Sequence, residues 1–180
     1  MPTINLTTGQ RAQRKKLITV ARWSEGDGAT ATKKTEILGT RTEDSSIEFN
    51  ADVQTSTDIL GITYTDVNKT EPQQSFDPFY ILGGSELAKY LSVAALKNDI
   101  DAYNNKFDVY IIAAYMTEGE ATADDGKFYC VKHSACTILP TSIGGDSYTS
   151  MPIELHYSNN ITEGTVDKLS SDFKFSGDTE

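Results

Sequence analysis

Residues 106–117, KFDVYIIAAYMT, are apolar on both of the faces that a period of two gives them, with Asp108 as the exception past Lys106. A strand of this kind has to be covered twice. It lies either between packed layers of its own chain, or against the core on one side and another subunit on the other. Both arrangements require a layered β fold.

Strand patterns recur along the chain. Residues 17–23 have the β-branched and aromatic content of a short strand, followed by a Gly/Thr loop at 24–32. From Ile47 the alternation is sharp: Ile47, Phe49, Ala51 and Val53 interleave with Glu48, Asn50, Asp52 and Gln54, as in a strand with one wet face. Residues 55–70, TSTDILGITYTDVNKT, are rich in Thr and Ile but studded with Asp58, Gly61 and Asp66. They fit either a hairpin inside the core or one projecting from the body. Residues 71–76 resume as strand, and Asp77-Pro78 breaks it. A helix is predicted at 85–97, capped by Ser85 with Glu86 in the first turn, a stripe of Leu87, Leu91 and Ala94/Ala95, and a stop at Asn98-Asp99. After the 106–117 strand, an acidic turn at 118–126 leads to a strand at 127–139. Met151, Ile153, Leu155 and Tyr157 then alternate inward on a strand whose Pro152 marks an edge. A short strand closes the chain at 173–175. The predicted fold is mainly β, a two-sheet sandwich or open barrel with one flanking α-helix. It comprises an arm at 1–16, which orders on a neighbour or not at all, and a single domain at 17–180.

Charge is unevenly distributed. The chain carries a net −10, yet before Thr42 eight basic residues face three acids, leaving +5 there and −15 in the remainder. Such an acidic body does not suit DNA binding by phosphate neutralisation. The polarity fits either copies meeting head to tail, basic arm on acidic body, or a solvated arm on an acidic domain. No run approaches the length of a membrane span, and the N-terminal residues lack a signal-peptide layout, so synthesis in the cytoplasm is expected. Cys130 and Cys136 lie in one strand beyond disulfide reach, as two free, half-buried thiols that alone among Cys130, His133 and Cys136 can share a face. Neither a metal site nor a catalytic set emerges. His133 and His156 lack a nucleophile elbow, and Gly83-Gly84-Ser85 opens a helix without the phosphate-loop pattern. With one Trp there is little surface for stacking sugars. No enzymatic activity and no cofactor are expected.

The run at 46–78 (SIEFNADVQTSTDILGITYTDVNKTEPQQSFDP), with Ile143-Gly144-Gly145-Asp146 and Gly164-Thr165-Val166-Asp167 after it, resembles the major tail tube proteins of siphophages in element order and length. The resemblance implies two packed sheets and a helix, six subunits per ring, and rings stacked into a virion tail tube through which DNA passes without specific binding. It implies self-association, together with tail tip, tape measure and terminator proteins as partners. It also implies that a long hairpin, here about 52–69, grips the adjacent ring, with Asp58, Ile62, Tyr64 and Asp66 at the contact and Asp58 and Asp66 free to meet basic groups. The basic cluster Arg11, Arg14, Lys15 and Lys16 is expected at a subunit or ring interface. The inner tube of a contractile tail or injection device shares the implied fold. A β-sandwich module binding receptors or carbohydrates is the alternative from a different class, and it calls for clustered exposed aromatics, whereas the nine tyrosines are scattered.

Overall fold

The computed structural model describes residues 2–26, 31–42, 44–118 and 127–178. Its strands are β1 (Pro2–Ile4), β2 (Leu17–Glu25), β3 (Thr32–Ile37), β4 (Ile47–Glu48), β5 (Ala51–Thr57), β6 (Thr63–Thr70), β7 (Gln73–Phe76), β8 (Phe107–Glu118), β9 (Phe128–Pro140), β10 (Ile153–His156) and β11 (Ile161–Val166), with the helix α1 (Glu86–Lys97) between β7 and β8. Nine strands form one antiparallel sheet in the order β3-β2-β8-β9-β10-β7-β4, with β1 added to β8 and β11 to β9; β5 and β6 make a second sheet of two. The fold is therefore mainly β with a single α-helix.

The long strand β9 turns the sheet on itself. Its first half pairs with β11, from Phe128 opposite Val166 to His133 opposite Ile161, and its second half pairs with β10, from Thr137 opposite His156 to Pro140 opposite Ile153. Between the halves Ala135 sits at φ +61°, and the register with β8 slips by one residue between Phe107 and Val109. A bulge of this type inserts an unpaired residue and inverts the facing of everything beyond it. Cys130 and Cys136, which share parity in the sequence, consequently enter different cores and are fully buried rather than half-buried. Burial pushes both thiols up, Cys130 to about 12.

Those two cores lie on opposite sides of β8. On one side Leu87, Ala88 and Leu91 of the helix pack on Phe107, Ile138, Ile153 and Leu155, and Trp23, Tyr90 and Phe107 stand with ring centroids 6.1–6.3 Å apart. On the other, Tyr110, Ile112 and Cys130 are covered by Phe173 and Phe175, the Tyr110 and Phe173 rings meeting edge-on at 4.9 Å. Over much of its length, then, the doubly apolar strand is covered twice by its own chain. Each fully buried aliphatic side chain here contributes roughly 1.5–3 kcal/mol. Gly164 permits this closure, since a Cβ there would stand 2.8 Å from the Phe175 ring. Asp178 pins the covering segment from beyond, taking Arg22 at 2.8 Å and Lys132 at 2.7 Å.

The helix follows its sequence signals, with Ser85 Oγ accepting from the Ala88 N–H at 3.0 Å and Asn98 at φ +53° closing the other end. Glu36 of β3 adds a second cap, accepting from the Leu87 N–H at 3.0 Å and from the Ser85 hydroxyl at 2.6 Å.

Several expectations are corrected. The arm does not wait for a neighbour: β8 runs past its pairing with β2, and β1 completes that free edge, Pro2 opposite Glu118 and Ile4 opposite Met116. The alternation from Ile47 to Gln54 is not one strand with a buried face, because Asn50 at φ +44° separates β4 from β5 and leaves Phe49 and Val53 exposed. Pro152 does not mark an edge; it precedes β10, which lies between β7 and β9, so no ladder N–H is missing. The strand β3, TKKTEI, has too few apolar residues to be picked out by periodicity. The acidic turn at 118–126 lies almost wholly outside the described residues, as do positions 27–30 of the loop at 24–32.

Candidate functional site: the exposed hairpin

Every residue of β5 and β6 is exposed. The two strands pair from Ala51 opposite Thr70 to Thr57 opposite Thr63, with a bulge between Asp52 and Val53. One face stacks Val53 with Val67, Thr55 with Thr65 and Thr57 with Thr63, the last pair joined through their hydroxyls at 3.2 Å. The other face carries Gln54, Ser56, Tyr64 and Asp66. Cross-strand β-branched pairs of this kind favour the hairpin, yet two strands alone are marginal in water.

The tip is built by Asp58. Its backbone N–H donates to the Ile62 carbonyl at 3.0 Å, while Oδ1 accepts from the N–H groups of Leu60 at 2.8 Å and Ile62 at 2.9 Å, and Oδ2 from the Tyr64 hydroxyl at 3.3 Å. Gly61 supplies the positive φ, +79°, that the reversal needs. The N–H of Ile62 is the largest of the influences that hold the Asp58 carboxyl below its usual range. The oxygens of Asp58 are thus engaged within its own turn, while its negative charge stays at the hairpin tip. With Asp58 turned inward, the turn presents Ile59, fully exposed, and Leu60, 78% exposed, to solvent.

Ile62, Tyr64 and Asp66 do lie on this hairpin, all exposed, and Asp66 stands opposite Gln54 across the ladder. Ile59, Leu60, Val53 and Val67 complete its apolar surface and were not singled out from the sequence; a turn of the form Asp-x-x-Gly with aliphatic residues between is the signal that marks the first two. The basic cluster sits apart from the tip. Arg14 opens a 3-10 turn, Arg14–Lys16, and its guanidinium donates to the carbonyls of Ser45, at 2.6 and 3.1 Å, and Leu17, at 2.6 Å. Arg11 and Lys15 are exposed, and none of Arg11, Arg14, Lys15 and Lys16 enters an ion pair among the described residues.

Other candidate sites are occupied by the fold itself. Beside the Gly83-Gly84-Ser85 turn, Glu36 accepts from the Ser85 hydroxyl and the Leu87 N–H and so fills the place of an anion. A Ser158 carbonyl at 2.8 Å engages His133, whose ring packs edge-on against Tyr157 at 4.9 Å. Among the described residues no three His, Cys, Asp or Glu side chains gather as metal ligands, and no helix is long and apolar enough to cross a membrane. No protein-family model matches the chain, and a search of curated proteins finds no match either.

Proposed function

We propose that this chain is a structural protein that assembles with copies of itself, forming the stacked rings of a long-tailed phage's tail tube, a conduit for DNA in the virion tail. The observation that carries the reading is the hairpin: two strands that bury nothing in their own chain and end in bare aliphatic side chains. Exposed aliphatic side chains gathered at the tip of such a projection suit an interaction site. The resemblance of residues 46–78 to siphophage tube proteins names the interaction, with the hairpin gripping the adjacent ring. A net charge of −10 suits a tube that must let DNA slide, since carboxylates lining a channel repel phosphates. Tail tip, tape measure and terminator proteins are the further partners this role entails.

Negative-stain electron microscopy of the concentrated protein, with and without tail tip complexes as nucleators, tests the reading beside a variant lacking residues 55–68. Hollow filaments or six-fold rings are expected from the intact chain, with stacking lost in the variant. If both proteins remain single particles under every condition, the self-assembly reading fails.

A further inference from the structure

A groove of about 410 Å3 opens beside the base of the hairpin. On the sheet side it is lined by Ile111, Ala113, Tyr129 and Val131 of β8 and β9, and on the other by Ile47 and Phe49. This is a stretch of the β8–β9 surface that the helix and the C-terminal segment do not close. Arg14 stands at the groove, and Phe49 is 64% exposed there.

Resting on the self-assembly reading above, we propose that this groove receives the hairpin tip of a second copy, with Ile59 and Leu60 in the apolar channel and the hairpin's carboxylates toward Arg14, Lys15 and Lys16. Three observations favour another copy over an unrelated partner. The same chain bears one projecting and one recessed apolar surface, both uncovered, and a single repeated contact covers both. Charge is complementary as well: the hairpin carries Asp52, Asp58 and Asp66 against Lys69, which already pairs with Glu71 at 2.5 Å, whereas the three arm cations enter no ion pair among the described residues. Finally, the contact has to be between molecules. Phe49 lies at the base of a hairpin whose seven-residue strand, at ~3.4 Å per residue, sets the tip about 24 Å away. A projection on one surface meeting a recess on another is a heterologous contact, which makes a ring where its rotation closes and runs on along an axis where it does not.

Two variants, Leu60→Cys and Phe49→Cys, report the contact, because both positions are exposed and the native Cys130 and Cys136 are buried. The proteins, distinguished by mass, are mixed under assembling conditions and oxidised gently. A disulfide joining one of each is expected in about tenfold excess over the same variants mixed in dilute solution, reflecting the high effective concentration within the assembly. The double variant should then give a ladder of linked multimers. Assemblies that form without the mixed disulfide overturn the groove as receptor while leaving self-assembly standing. If neither assemblies nor cross-links form, both readings fall.

Discussion

Gln74 is almost wholly buried, and both polar atoms of its amide are engaged. Its side-chain carbonyl accepts from the hydroxyls of Thr19 at 3.0 Å and Tyr157 at 2.6 Å, while its NH2 group donates to Ser45 Oγ at 2.9 Å. The Ser45 hydroxyl in turn donates to the Ser75 carbonyl at 2.7 Å. Burial holds the Tyr157 phenol well above its ordinary range, so it remains a donor at any physiological pH. Replacing Gln74 with Leu strands the Thr19 and Tyr157 hydroxyls in an apolar interior. Such orphaned groups cost about 1–3 kcal/mol, and the expected outcome for Gln74→Leu is a loss of about 2 kcal/mol, read as a lower urea midpoint with an unchanged slope. The inward facing of Gln74 was legible, because it shares parity with Phe76. Its partners were not: they lie 29 to 83 residues away, and only the folded sheet brings them within reach.

The helix and the hairpin differ in how much of them is local. A cap at Ser85, a stripe at Leu87, Leu91 and Ala94, and a left-handed stop at Asn98 are all short-range signals, and the helix obeys each. The hairpin's turn is equally local, since Asp58, Leu60, Gly61 and Ile62 hold one another within five residues. A depressed carboxyl contributes stability above its unfolded pKa and loses it as the pH falls through the lower folded value. Asp58 is lowered from 3.8, so the tip should hold its form throughout the neutral range and loosen only below about that value. The check is amide hydrogen exchange at Leu60 and Ile62: protection is expected to persist down to mildly acid pH, and Asp58→Ala should remove it at neutral pH. The bulge at Ala135 is the opposite case. Nothing in FYCVKHSACTILP marks Ala135 as the residue to be left unpaired, since alanine gains nothing locally from a positive φ. The inversion is imposed by the need for one strand to serve β11 and β10 in turn.

For the molecule as a whole, the division between body and hairpin has an energetic consequence. Both cores draw on strands other than β5 and β6, and no residue of the hairpin is buried. Deleting 55–68 is therefore expected to shift the stability of the body by no more than about 0.5 kcal/mol, the usual range for changes away from core and caps. Calorimetric or urea unfolding of the variant checks this, independently of whether it assembles. The sequence by itself determined the class of fold, the position of the helix and the inward residues of β10. Each depends on a period or a cap that neighbouring residues carry. The tertiary structure decided which side of β8 the C-terminal segment covers, which core each cysteine enters, that the arm completes a sheet edge, and that residues 51–70 stand clear of the body. These depend on pairings between distant strands, and a one-residue slip in such a pairing reverses every facing that periodicity alone would assign.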